Sequence, residues 1–172
     1  MNLQSTDFEL FAVPARFAQD AGALDARWKE LQREVHPDRF AAQGAAAQRV
    51  AMQWSARINE AYRRLKDPLR RAAYLCELHG APIQAENNTA MPADFLMQQM
   101  AWRESLDEVR DAAGLDALRA EVQAARARAV SALGGLLDEQ GDHAAAARQV
   151  RALMFIERFA DDIEARAEAL QP

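Results

Sequence analysis

The chain has 172 residues, half of them hydrophobic, and a formal net charge of -5. That length suits one domain or two small ones, and the acidic balance argues against a general nucleic-acid binder. One cysteine, Cys76, can neither close an internal disulfide nor hold a metal cluster alone, so a reducing compartment fits.

Ala, Leu, Glu, Gln and Arg dominate while Gly and Pro are few, which predicts a nearly all-helical protein. No segment is apolar for long enough to span a bilayer, and the N-terminus lacks the basic-then-apolar layout of a signal peptide. A cytoplasmic protein is expected, with no cofactor. The charge is uneven. Residues 1–80 hold 12 Lys/Arg against 10 Asp/Glu, and residues 81–172 hold 9 against 16. The first part could favour an acidic partner surface and the second a basic one, although solvated helix faces give the same counts.

In chain order, residues 7–12 form a short apolar-rich segment limited by Pro14. A helix is predicted from about Asp20 to Val35, with Leu24, Trp28, Leu31 and Val35 on one stripe and Lys29 and Arg33 on another face. Pro37 ends it, because the residue before a proline avoids helical geometry. A loop over His36 to about Gly44 leads to a helix over Ala45–Lys66, whose stripe is Ala51, Trp54, Ile58, Ala61 and Leu65. The short loop lets the two helices pack antiparallel. Asp67-Pro68 reads as an N-cap followed by proline at the first helical position, and a fourth helix continues to Gly80.

Residues 81–93 carry two Pro and two Asn and are expected to link two domains, 1–80 and 94–172. The remainder predicts three helices, at about 93–112, 115–139 and 142–170, separated by Gly114 and Gly141 and closing into a small bundle. No oligomerisation signal stands out, and a monomer is expected.

The first constellation is His36-Pro37-Asp38 at the tip of the helical hairpin. Proline stiffens the backbone there and would hold His36 and Asp38 outward, where Asp38 can accept a bidentate arginine. Lys29 and Arg33 would extend that contact. A plainer reading also exists: His36 could cap the second helix and Asp38 could accept backbone N–H groups in the turn.

The setting resembles the J domain of the DnaJ family. The Leu24-to-Leu31 stripe runs into Val35-His36-Pro37-Asp38-Arg39-Phe40, and the pattern continues with Ile58-Asn59-Glu60-Ala61-Tyr62 through Lys66-Asp67-Pro68. The resemblance covers roughly residues 7–75. It implies that Lys29, Arg33, His36, Pro37 and Asp38 contact a DnaK-type chaperone and stimulate its ATPase. Glu30 and Glu34 depart from the more basic second helix of many J domains, which allows a dedicated partner.

The second constellation lies on the helix of residues 93–112. At about 100° per residue, Phe95, Trp102, Leu106 and Val109 share one side and predict the core stripe. Met97, Met100, Glu104 and Glu108 share the other, with Leu96 on the flank. A second apolar stripe carrying methionines invites a partner, but periodicity equally allows it to pack against another helix.

Here the resemblance extends to the whole chain and is to the HscB family of iron–sulfur co-chaperones. Its motifs are Phe8-Glu9-Leu10-Phe11 with Pro14-Ala15-Arg16-Phe17, then Asp67 to Leu75 with Leu78-His79-Gly80. Phe95-Leu96-Met97 and Arg103 to Glu108 complete the set. The family implies two partners, the cluster scaffold IscU and the specialised chaperone HscA. The implied scaffold contacts are Leu96, Met97, Met100, Glu104, Glu108 and Phe155. Family members often carry an acidic residue where this chain has Ala101.

Other chemistry is weaker. His36, His79 and His143 are far apart and share no ligand spacing, so no metal site is expected. No glycine-rich phosphate loop is present, so ATP binding belongs to the partner. An enzyme using His36 and Asp38 as an acid–base pair lacks a nucleophile and a pocket. The remaining alternative is a J-domain protein serving a different client.

Overall fold

The structure, a computed structural model, describes residues 2–171. It is all-α, with no strand among the described residues, as expected. The helices are α1 (Asp7–Phe11), α2 (Ala21–Val35), α3 (Ala45–Lys66), α4 (Pro68–Leu78), α5 (Phe95–Glu108), α6 (Ala112–Gly134) and α7 (His143–Leu170). The chain divides into two compact units, Met1–Tyr74 and Leu75–Pro172.

In the first unit, Thr6 caps α1 by accepting from the Glu9 N–H, and Asp20 caps α2 by accepting from Gly22 and Ala23. The α2/α3 hairpin buries Leu24, Leu31, Val35, Ala51, Ile58, Ala61 and Leu65, and α1 adds Phe8, Leu10 and Phe11. Trp28 and Trp54 are only half-buried, against the expectation that they sit in the core. Trp28 stacks on Tyr62 at 5.0 Å, and its Nε1 donates to Asn59. Gln32 donates to Asn59 and accepts from the Ser55 hydroxyl, and Lys66 donates to Asp25 at 2.6 Å. A polar ladder therefore fixes the register of the hairpin from one edge. The Lys66 ammonium and the Tyr62 hydroxyl both donate to the Asp25 carboxylate and hold its pKa below the ordinary value.

Asp7 is fully buried between Arg57 at 2.8 Å and Arg64 at 2.7 Å. Its own N–H donates to the Tyr74 hydroxyl. These contacts tie α1 onto α3.

The second unit is built on α6 and α7, which bury Leu115, Leu118, Val122, Leu133, Val150, Leu153, Ile156, Phe159 and Ile163. Trp102 of α5 lies in this core, stacked on Phe159 at 5.6 Å. Of the predicted α5 core stripe only Trp102 is buried; Phe95, Leu106 and Val109 are half-buried. Helix α5 also stops earlier than predicted, because Val109 is extended. Asp111 then caps α6 by accepting from the Gly114 N–H, so Gly114 sits in the first turn of α6 rather than between helices. A π-helical turn, Gly135–Glu139, closes α6. Gly141 (φ 63) supplies the left-handed residue before Asp142 caps α7.

The segment expected to be a linker belongs to this unit. Ile83 is buried, and the buried Arg151 of α7 donates to the carbonyls of Ile83 at 2.9 Å and Ala90 at 3.0 Å. The division therefore falls within α4, not at 81–93. Cys76 is buried, and burial pushes its thiol up to about 11. The histidines are not all separate. His79 stacks on His143 with ring centroids 4.0 Å apart. Among the described residues no three His, Cys, Asp or Glu side chains are placed to hold a metal ion. No helix of the described residues is long and apolar enough to cross a membrane.

Candidate partner-binding surfaces

The first surface is the tip of the α2/α3 hairpin. The expected loop is a seven-residue 3-10 helix, Pro37–Gln43. His36 is extended, as a residue before proline should be, which turns the chain sharply out of α2. Its Nδ1 accepts from the Asp38 N–H at 3.2 Å and so caps the 3-10 helix rather than α2. With Nδ1 accepting, the neutral imidazole carries its proton on Nε2 and can donate it to a partner.

The His36 and Asp38 side chains are 57% and 91% exposed. A hydrogen-bond donor and a carboxylate are thus presented side by side on a backbone that Pro37 stiffens. Lys29 and Arg33 are exposed on α2, and Pro37 is half-buried. Arg39, absent from the expected contacts, donates to the Arg33 carbonyl at 3.0 Å. It lines an open depression of about 460 Å³ with Gln32, Arg33 and His36. Its place directly after the triplet was the available signal.

The second surface is the outer face of α5. Leu96, Met97 and Met100 are 62%, 72% and 61% exposed, so the second stripe is not covered by another helix. Glu104 and Glu108 continue the face, both exposed, and Ala101 beside them is exposed without charge. Large apolar side chains this exposed side by side mark contact surfaces.

Phe155 does not share that exposure. It retains 6% of its surface, packs edge-on against Phe95 at 5.7 Å and stacks with Phe159 at 5.9 Å. The Arg103 guanidinium lies 5.2 Å from its ring centre. Phe155 therefore supports α5 from beneath and forms one wall of a cleft of about 370 Å³ with Arg103, Arg158, Phe159, Asp161 and Asp162. Phe155→Ala is expected to lower stability by about 3 kcal/mol, the cost of emptying a buried aromatic site. Urea unfolding checks this; an unchanged midpoint contradicts the buried placement.

Comparison with known proteins identifies the family. Residues 91–164 match the family model described as the HSCB C-terminal oligomerisation domain. The chain is 52% identical over 174 residues to the co-chaperone protein HscB homolog of Burkholderia multivorans, covering 99% of both chains. The chaperone HscB from Vibrio cholerae has the same fold, with a TM-score of 0.81 and 36% identity over 97% of this chain and all of that one. The human co-chaperone protein HscB superposes with a TM-score of 0.89 at 26% identity, over 97% of this chain and 84% of that one. A full-length likeness at this identity, on an all-helical frame with a stiffened His-Pro-Asp tip, places the chain in the HscB family of co-chaperones.

Proposed function

We propose that the protein is a two-ended adaptor of iron–sulfur cluster assembly in the cytoplasm. Residues Lys29, Arg33, His36, Pro37 and Asp38 engage a DnaK-type chaperone of the HscA kind and stimulate its ATPase. Leu96, Met97, Met100, Glu104 and Glu108 hold an IscU-type scaffold, with Phe155 shaping the surface from below. The observation that carries this reading is the uncovered apolar face of α5, 61–72% exposed at three neighbouring positions.

The exposed donor and carboxylate at the hairpin tip suit recognition of a charged partner, and Asp38 can take an arginine in bidentate fashion. The basic Lys29/Arg33 edge steers an acidic surface toward the tip, while Glu104 and Glu108 suit a basic rim on the scaffold.

The test is titration calorimetry with an IscU-type scaffold. Leu96→Ala, Met97→Ala and Met100→Ala together are expected to weaken binding about 100-fold, because clustered apolar anchors carry most of an interface's energy. Equal binding by the triple variant moves the docking surface elsewhere. Failure of the unaltered chain to bind favours the alternative, a J-domain co-chaperone presenting a different client.

A second reading of the same unit concerns self-association. The family model matching residues 91–164 is described as an oligomerisation domain, which stands against the monomer expected from the sequence. Sedimentation of the full chain decides between the two.

A further inference from the structure

The chaperone contact proposed above uses α2 and the hairpin tip, and it leaves the start of α3 without a role. Met52 on α3 is 61% exposed, while its neighbour Ala51 carries the core stripe. An exposed methionine alone needs no explanation, so its position has to supply one. Hydrogen bonds across the hairpin fix that position. Gln32 of α2 donates to the Ser55 carbonyl at 3.3 Å and accepts from the Ser55 hydroxyl at 2.8 Å. The same Gln32 donates to Asn59 at 2.8 Å.

The two helices run antiparallel. One turn onward from Gln32 lies His36, and one turn back from Ser55 lies Met52. Met52, Ser55 and Asn59 fall at i, i+3 and i+7, on one face of α3. Ser55 and Asn59 are half-buried and polar, so Met52 is the apolar end of this strip, and that end lies at the tip. The open depression of about 460 Å³ begins in the same place. Gln32, Arg33, His36 and Arg39 line it, and the surface they turn into it is almost wholly carbon. An exposed apolar side chain and a carbon-walled hollow are thus set within the charges of Arg33, Asp38 and Arg39. Protein contacts are commonly built this way, with an apolar centre, a polar rim, and Met and Arg enriched.

Val50, the other large apolar side chain of α3 classed as exposed, does not share this setting. It lies two turns before Arg57 on the same face, and Arg57 donates to the Ser5 carbonyl and pairs with Asp7 of α1. Val50 therefore belongs to the α1 side of the helix, away from the polar strip.

We infer that Met52 is a second anchor of the chaperone contact, holding an apolar side chain of the DnaK-type partner beside the His36-Pro37-Asp38 tip. The inference rests on the chaperone reading above and gives that partner a stated chemistry: an apolar residue flanked by acidic ones, which Lys29, Arg33 and Arg39 meet. The two parts of the surface then act differently. His36 and Asp38 present a donor and a carboxylate, groups that act on the partner's rate. Met52 presents only apolar area, which sets how tightly the partner is held. It also confers selectivity, because a chaperone with a polar residue at the matching place loses the contact and gains nothing in return.

The experiment is phosphate release by an HscA-type chaperone titrated with the full chain, which separates the half-saturating concentration from the maximal rate. Met52→Gln keeps the length and helix propensity of the side chain and removes its apolar end. It is expected to raise the half-saturating concentration at least about fivefold and to leave the maximal rate unchanged, the signature of a lost holding contact. Met52→Leu should restore the unaltered value. Val50→Thr, an exposed change on the other face, should leave it where it was. Circular dichroism checks that each variant keeps its helices, as exposed sites allow. Unchanged half-saturation in Met52→Gln overturns the inference, and so does an equal rise in Val50→Thr. A lowered maximal rate in Met52→Gln, of the kind expected from His36→Gln, overturns the separation of roles. If the unaltered chain does not stimulate the chaperone at all, the chaperone reading itself falls, and the inference with it.

Discussion

His36→Gln is expected to cut stimulation of an HscA-type ATPase at least tenfold while leaving scaffold binding and the melting temperature unchanged. Nothing in the fold leans on this ring. Its side chain is 57% exposed, and its Nδ1 accepts from the Asp38 N–H to cap a short 3-10 helix, with the Asp38 carboxylate 3.7 Å away. The stability cost should therefore stay within the ordinary range of about 0.5 kcal/mol for surface changes. What the substitution removes is an imidazole whose Nε2 proton is presented to the partner, next to a carboxylate on a proline-fixed backbone. Glutamine can donate from its amide, but on a longer, freer side chain that no longer accepts from the Asp38 N–H in the same place. Steady-state phosphate release by the chaperone measures the effect. Undiminished stimulation by His36→Gln contradicts the assignment of the tip.

Asp7→Ala is expected to produce the largest loss of stability of any single charge removal in the first unit, about 3 kcal/mol. Asp7 is fully buried between two guanidinium groups that are themselves only 16% and 28% exposed. Removing the carboxylate leaves two neighbouring positive charges, of which Arg64 keeps only the exposed Glu60 at 3.3 Å, and breaking a buried pair costs more than the pair contributes. Arg64 also sits over the Tyr74 ring at 4.3 Å, so the disturbance reaches α4. Partial exposure of the arginines lets water recover some of the loss, which keeps the figure at the low end of the 3–5 kcal/mol typical of such changes. Guanidinium unfolding followed at Trp28 and Trp54 reads it directly. A shift below about 1 kcal/mol means the arginines relax into solvent and the cluster is not a structural anchor.

Much of the fold could be read in the sequence because the signals were local. The stripe Ala51, Ile58, Ala61, Leu65 is unbroken, and Asp67-Pro68 ends it, so α3 lies at Ala45–Lys66 as predicted. The second stripe of α5 was legible for the same reason: Met97 and Met100 could not share a face with Trp102. What could not be read depended on partners distant in the chain. Arg151 lies 68 residues from Ile83, and the carbonyls it binds leave no trace in side-chain chemistry, so 81–93 looked like a free linker. His79 and His143 meet only once α7 packs beside the end of α4. Gly114 reads as a break because glycine usually is one; the Asp111 cap three residues earlier outweighs it. At the candidate sites, the exposed tip and the α5 face follow from motif and period. Resemblance alone names Phe155 as a scaffold contact, and its burial in the aromatic stack with Phe95 and Phe159 depends on packing that no local pattern encodes.

The grip of Arg151 on the segment before α5 also sets the smallest fragment that can carry the exposed face of α5. A fragment starting at residue 94, where helix prediction would cut, discards Ile83 and both carbonyl acceptors. The guanidinium would then be left in an apolar interior with nothing to satisfy it. Such a fragment would have to hydrate Arg151 by loosening α7, the helix that supports Phe155 and, through it, α5. A faithful miniature of the second unit therefore begins before Ala81, and the thirteen residues that look dispensable act as its plug.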